Sequence, residues 1–80
     1  MKLRKNLSAF IAKQKMNYSA FAADRKISLS QLSQILHGTY TGTFQFWAGI
    51  AVDYNLTVPQ MIDLYQITDK NGEVSKWLKD

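Results

Sequence analysis

The 80-residue sequence contains no cysteine, a single proline and only four glycines. Without cysteine the chain forms no disulfide bond and offers no thiolate to a metal, as is common for proteins of a reducing cytoplasm. No apolar run approaches the roughly 20 residues that span a bilayer. The basic N-terminal segment is not followed by the apolar stretch of a signal peptide. These absences predict a cytoplasmic protein without a membrane partner.

Residues that carry enzyme chemistry are equally scarce. His37 is the one histidine and has no second ligand candidate near it in the sequence, so no metal site is expected. The six acidic residues are scattered, with no pair spaced for joint acid–base work on one helix face. A glycine-rich phosphate loop is also missing. The sequence therefore predicts neither an enzyme nor a cofactor-binding protein.

What is present is typical of one small globular domain. Apolar residues make up 46% of the chain and aromatic residues 12%, a composition too apolar for a disordered tail. A chain of this length buries a workable but thin core, so self-association would add stability. We expect a helical domain over residues 1–66 and a C-terminal tail over residues 67–80.

The net charge of +4 is unevenly distributed along the chain. Residues 1–26 hold seven cations against one aspartate, residues 27–42 have no formal charge, and residues 43–69 are negative. A positive end beside a neutral polar surface suits a polyanionic partner, although a solvated helix face accounts for the same pattern. The seven cations are Lys2, Arg4, Lys5, Lys13, Lys15, Arg25 and Lys26.

Apolar spacing and capping residues predict five helices. The first covers residues 3–15. The second covers about residues 18–25, with Asn17 as its cap and Ser19 as a competing start. The inward residues of these two helices are Leu3, Leu7, Phe10, Ile11, Phe21 and Ala22, and the outward cations of the first are Arg4, Lys5 and Lys13.

The third helix is predicted over Leu29 to His37. Ser28 and Gln31 form the S-x-x-Q pattern of a capping box, and Gly38 stands where a left-handed residue ends a helix. The buried side consists of Leu32, Ile35 and Leu36. The opposite side presents Ser30, Ser33 and Gln34, with no charged residue.

The fourth and fifth helices are predicted after Thr43 and Thr57. Asn55 ends the fourth helix, and Gln60 completes a second capping box in the fifth, whose first turn tolerates Pro59. We expect Phe46 to be exposed. The inward residues of the fourth helix are Phe44, Trp47, Ile50, Ala51 and Tyr54, and the apolar face of the fifth consists of Val58, Met61, Ile62 and Tyr65.

The C-terminal tail favours a β-hairpin. Residues 65–68 and 74–78 flank an Asn71-Gly72 pair, which is a strong hairpin-turn signal. A lone hairpin is marginal in water, so it would need the body of the domain or a second subunit. A helix from Ser75 onward is the alternative. Trp77 either packs on its own core or enters a partner.

The third helix carries the main functional signal. A helix with an apolar back and a small, uncharged polar front can lie in a groove of DNA and read base edges. Other residues would then hold the phosphates. The alternative is that Ser30, Ser33 and Gln34 are simply an exposed polar face.

The segment order and residue types resemble the small phage-type repressor and Cro helix-turn-helix proteins, including the XRE-like regulators. The resemblance covers about residues 6–63. Two positions depart from the family, since Lys26 replaces a usual glycine of the turn and Arg25 replaces a usual apolar residue. The residues that carry the resemblance are Phe21, Ala22, Ile27, Ser28, Leu32, Ile35, Gly38, Ile50, Ala51, Leu56, Thr57 and Val58.

This resemblance implies an all-α, five-helix, lambda-repressor-like helix-turn-helix domain that regulates transcription by binding a pseudo-palindromic DNA operator as a homodimer. It implies base reading by Ser28, Leu29, Ser30, Ser33 and Gln34. Phosphate contacts or long-range attraction are implied for Lys2, Arg4, Lys5, Lys13, Asn17, Tyr18, Arg25, Lys26, His37, Thr39, Tyr40 and Thr41. The dimer surface is expected at Val58, Pro59 and Met61 or at Trp77.

One rival function belongs to another class. A protein-interaction module, such as an antitoxin, antirepressor or adaptor, would keep the same fold without reading DNA. The departures at Arg25 and Lys26 leave room for it. A regulator of this kind could in addition bind a protein antirepressor or another protein partner.

Overall fold

The computed structural model describes residues 3–68 and 73–79 and confirms an all-α, five-helix domain. The longest helix has ten residues, and none in the described ranges is long and apolar enough to cross a membrane. The helices are α1 (Lys5–Lys13), α2 (Tyr18–Asp24), α3 (Leu29–His37), α4 (Phe44–Asp53) and α5 (Val58–Tyr65), followed by a 3-10 turn at Lys76–Leu78.

Four helices begin at the capping residues that the sequence predicts. The Asn17 side chain accepts a hydrogen bond from the backbone N–H of Ala20 at 2.7 Å, which excludes the competing start at Ser19. Reciprocal capping boxes are present at Ser28 and at Thr57. Each cap satisfies an N–H group that would otherwise lack a partner, so these contacts fix where the helices start.

Left-handed residues set the ends of helices and turns. Gly38 has φ +80°, a left-handed conformation that favours glycine, and a Cβ atom there would lie 2.8 Å from the end of the Ile67 side chain. Asn55 ends α4 with φ +55°. In the turn before α3, Lys26 adopts φ +60°, which costs a lysine about 1 kcal/mol. The turn therefore keeps the left-handed conformation without a glycine.

The hydrophobic core joins α1, α2, α3, α4 and α5. Its fully buried members come from every helix, and the closest pairings are α1 with α5 and α2 with α3. Ala22 is 2% exposed, which shows why a small residue lies where α2 packs on α3. The apolar side chains buried there almost completely include Phe21, Leu7, Ile11, Leu32, Ile35, Leu36, Ile50 and Leu64.

The predicted buried face of α4 is wrong at two positions. Phe44 is 86% exposed, whereas Phe46 is 6% exposed and packs on Phe21 at a ring-centroid distance of 6.5 Å. The inward stripe therefore passes through Phe46 and Ile50, four residues apart, instead of beginning at Phe44. Because α4 is apolar almost all round, residue spacing alone does not identify its core-facing side.

The predicted C-terminal hairpin is also wrong. Thr68 pairs with Leu3 in an isolated antiparallel bridge, and residues 76–78 form a 3-10 turn, so the two flanks do not pair with each other. The Asn71-Gly72 turn lies outside the described residues. The physical reason is that the body of the domain supplies better partners for both flanks than they supply for each other.

Polar contacts of Asn6 and Asp63 fix the C-terminal segment at Ser75 and Trp77 to the domain. The amide of buried Asn6 donates to the Ser75 hydroxyl at 3.1 Å and accepts from the Ser75 N–H at 2.9 Å. The Trp77 indole donates to the Asp63 carboxylate at 2.9 Å, and its ring lies 6.4 Å from Phe10. Of the two alternatives for Trp77, the structure shows packing of the ring on its own domain, and a dimer contact at Trp77 stays a prediction.

Candidate nucleic-acid interface

The exposed side of α3 is polar, uncharged and without internal partners. Burial of Leu32, Ile35 and Leu36 on the opposite side fixes the rotation of the helix and turns this face to solvent. In the described part of the chain, the side chains of the three front residues accept and donate no hydrogen bond. The front consists of exposed Ser30, Ser33 and Gln34, with Leu29 beside it at 49% exposure.

Ser28 belongs to the same surface but has a structural task. Its hydroxyl accepts from the Gln31 N–H at 3.0 Å, and its own N–H donates to the Gln31 side chain at 3.0 Å. Both residues are exposed. The capping box therefore uses the polar atoms of Ser28 to begin α3, while the front residues keep theirs available to a ligand.

Arg4 is removed from the predicted phosphate-contacting set. Its side chain is 1% exposed and donates to the backbone carbonyls of Tyr65, Ile35 and Tyr40. Residue 4 precedes α1 and is not on its outer face. Because Arg4 is enclosed by the ends of α3 and α5, its predicted outward orientation is wrong.

Arg25 is held by two carboxylates instead of pointing into solvent. The guanidinium donates to Asp24 at 2.8 Å and to Asp53 at 2.6 Å, and the side chain is 11% exposed. Burial lowers the pKa of Arg25, but the hydrogen bonds to Asp53 and Asp24 outweigh that effect and raise it overall. The predicted phosphate role is corrected, because its charge already stabilises the link between α2 and α4.

The remaining cations lie in different surroundings. Lys26 is exposed in the turn two residues before the Ser28 cap. The Lys13 ammonium is exposed but donates to the Trp77 carbonyl at 2.8 Å, beside the C-terminal segment. Lys5 is half-buried at the first turn of α1, and Lys2 lies outside the described residues. Lys26 is thus the predicted cation closest in sequence to the exposed face of α3.

Helix starts and the loop after α3 give the other predicted backbone contacts. The Tyr18 hydroxyl lies 2.6 Å from the Ser8 hydroxyl, so it links α2 to α1, while Asn17 is occupied by its cap. His37, the last residue of α3, is exposed, as are Thr39 and Thr41 in the loop that follows. The loop itself is fixed, because the Trp47 indole donates to the Thr41 carbonyl at 2.6 Å. Half-buried Tyr40 packs against the core.

A second surface is apolar and lies between α4 and α5. It contains a groove of about 320 Å³. The sequence placed Trp47 and Ala51 on the inward side of α4 and gave α5 an apolar face, and only the completed packing reveals that the two helices leave an accessible groove between them. Val58 is 73% exposed, Ile62 is 51% exposed and Tyr65 is 47% exposed. The lining residues are Trp47, Ala51, Leu56, Val58, Met61, Ile62 and Tyr65.

Metal chemistry has no evident location in the described residues. No group of three or more histidine, cysteine, aspartate or glutamate side chains there is placed to hold an ion. The acidic side chains Asp24 and Asp53 share Arg25, and Asp63 accepts from Trp77. The surfaces that stand out are therefore the polar front of α3 and the apolar groove.

Serine substitutions along α3 should separate structural from ligand-directed residues. Ser28→Ala is expected to lower the free energy of unfolding by about 1 kcal/mol, because it removes the cap. Ser30→Ala and Ser33→Ala should leave it unchanged or raise it by up to about 0.5 kcal/mol, because alanine favours helix and neither hydroxyl has a partner. Urea titrations followed by circular dichroism provide the measurement. Equal losses in all three variants would contradict this division.

The comparisons with known proteins contribute no relative. Searches of protein-family models, curated proteins and solved structures find nothing that matches this chain. The likeness to repressor and Cro proteins therefore consists of the element order, the helix caps and the residue types given above. The function is inferred from the chemistry of the two exposed surfaces.

Proposed function

We propose that the protein is a sequence-specific DNA-binding transcriptional regulator that acts in the cytoplasm. In this proposal α3 lies in the major groove, and two copies bind the halves of a pseudo-palindromic operator. The supporting observation is the exposed front of Ser30, Ser33 and Gln34, whose side-chain polar atoms have no hydrogen-bond partner within residues 3–68 and 73–79. A helix that is anchored by its apolar back leaves this front for base edges.

The residue types of this front match base edges in the major groove. The Gln34 carboxamide has a donor and an acceptor, as needed for paired hydrogen bonds with the N6 and N7 atoms of adenine. Leu29 offers apolar contact to a thymine methyl group. The hydroxyls of Ser30 and Ser33 can donate or accept and therefore tolerate several bases. Gln34 is accordingly the residue expected to contribute most to specificity.

Phosphate attraction falls to fewer cations than the sequence suggests. Arg4 and Arg25 are enclosed, so Lys26 is the first candidate beside α3, with Thr41 as a neutral donor beyond it. The Thr39 hydroxyl already donates to the Gln34 backbone carbonyl at 3.3 Å. Each phosphate neutralised by a cation adds close to one to the salt slope of binding. A modest salt slope per domain is therefore part of the proposal.

Dimer formation is assigned to the apolar surface of α5. Val58 and Pro59 are exposed at the start of the helix, and Met61 is half-buried in the neighbouring groove. An exposed apolar patch of this kind is typical of an interaction site. The same patch supports the rival function of a protein-interaction module. A gel shift on random duplex across a salt series distinguishes them, because the rival should bind little DNA even at low salt.

Removal of the Gln34 side-chain amide should reduce specificity. Gln34→Ala is expected to lower the preference for selected duplex over random duplex by about 1–3 kcal/mol, because the bidentate base contact is lost. Fluorescence anisotropy with both duplexes measures the ratio. Gln66→Ala, at an exposed amide beyond α5, is the matched control and should change neither affinity. An unchanged ratio in Gln34→Ala would show that α3 is not the base-reading element.

Removal of the Lys26 charge should affect every sequence alike. Lys26→Ala keeps a non-glycine residue at the left-handed position and is expected to reduce the magnitude of the salt slope by about one. The ratio of selected to random binding should stay the same, since a phosphate contact carries no sequence information. Affinity measured at four or more salt concentrations provides the slope. A changed ratio with an unchanged slope would contradict the phosphate role.

A charge on the apolar patch should prevent pairing of two copies. Val58→Asp alters a side chain that is 73% exposed, so the fold is expected to survive while the dimer is lost. Sedimentation equilibrium gives the oligomeric state, and binding to a single half-site should persist. Val52→Asp, at a valine that is 78% exposed on α4, is the control. An unchanged dimer in Val58→Asp would place the interface elsewhere.

A further inference from the structure

Arg4 is a buried cation without an acidic partner among the described residues. Its side chain is 1% exposed at the residue that precedes α1. The Nε atom donates to the Tyr65 carbonyl at 2.8 Å, and Nη1 donates to the carbonyls of Ile35 and, at 3.4 Å, Tyr40. A buried charge with no opposite charge is costly, so these carbonyls must supply the compensating negative potential.

Two of the carbonyl partners lie at the ends of helices. Ile35 belongs to the last turn of α3, and Tyr65 is the last residue of α5. The last carbonyls of a helix lack partners within it and carry the negative end of its dipole. The backbone N–H of Arg4 adds a second hydrogen bond to α3, donating to the Leu36 carbonyl at 2.7 Å. Arg4 therefore joins the C-terminal ends of α3 and α5.

Aromatic rings complete the surroundings of this charge. The guanidinium carbon lies 4.9 Å from the ring centroid of Tyr65 and 5.6 Å from that of Trp47, within the range of cation–π attraction. Burial lowers the pKa of Arg4, and its interaction with Tyr65 offsets part of that decrease. A planar group with diverging donors suits this arrangement, whereas lysine would supply a point charge on a flexible stem.

We infer that Arg4 is a positioning residue that sets the angle of α3 against α5 and therefore the angle at which Gln34 meets the bases. This inference rests on the proposed function. The backbone carbonyl of Gln34 accepts hydrogen bonds from the backbone N–H groups of Thr39 and Tyr40. These bonds fix the loop after α3 to the end of the helix, so that the two form one continuous segment. Arg4 contacts that segment at Ile35 and Tyr40. A tilt of α3 would misalign base contacts without reducing phosphate attraction.

Two substitutions test this role through specificity and salt dependence. Arg4→Lys keeps the positive charge but loses the planar group with diverging donors. Arg4→Gln keeps hydrogen-bond donors but loses the charge. In either folded variant, the preference for selected over random duplex should fall about tenfold or more, with the salt slope unchanged. A slope reduced by about one would show a direct phosphate contact and overturn the inference. An unchanged preference for selected over random duplex would also overturn the inference, as would failure of both variants to fold. Lys76→Gln is the control for an exposed cation and should keep the preference.

Hydrogen exchange tests the hold on α3 without DNA. In Arg4→Lys the amides of Thr39 and Tyr40 should exchange about tenfold faster, while that of Ile27 in the turn before α3 should not change. Equal acceleration at all three amides would indicate general destabilisation and overturn the positioning role. If the unmodified protein shows no preference for any duplex, the proposed function fails. The exchange result then decides separately whether Arg4 holds the end of α3.

Discussion

Burial of the apolar side of α3 is the constraint from which the rest of this domain follows. Leu32, Ile35 and Leu36 are each at most 2% exposed and share one core cluster with Phe21 and Ile50. A helix held by that side has one rotation in which its apolar groups leave water. The same burial that stabilises the domain therefore presents the polar front of α3, and the proposed DNA contact depends on this packing.

Charged residues divide between holding the helices and facing solvent. Arg4 donates hydrogen bonds to backbone carbonyls at the ends of α3 and α5, and Arg25 links α2 to α4 through Asp24 and Asp53. Both arginines provide several directional donors, which explains their enclosed positions. Lysines lie closer to solvent, with Lys26 exposed beside the start of α3. Fewer cations are therefore accessible to a polyanion than the positive net charge of the chain suggests.

Features of the fold that depend on neighbouring residues were predictable from the sequence. Features that depend on which of several distant partners a side chain contacts were not. The caps at Asn17, Ser28 and Thr57 each act within four residues, so the sequence alone indicated the starts of α2, α3 and α5. The exposed front of α3 followed from that register. The reversal of Phe44 and Phe46 was not predictable, because α4 is apolar on most sides. The positions of Arg4, Arg25, Trp77 and the C-terminal tail were likewise set by tertiary contacts. Their partners Tyr65, Asp53, Asp63 and Asn6 are distant in the sequence.

Selection of duplexes from a random pool tests the central claim most directly. The protein is incubated with random double-stranded DNA at a salt concentration where it is folded, and bound duplexes are sequenced over successive rounds. If two copies of the protein read bases in successive major grooves through α3, we expect enrichment of an imperfect inverted repeat. Its half-site centres should lie about one helical turn apart. Recovery of a pool with the starting composition would contradict the claim that the polar side of α3 recognises DNA sequence.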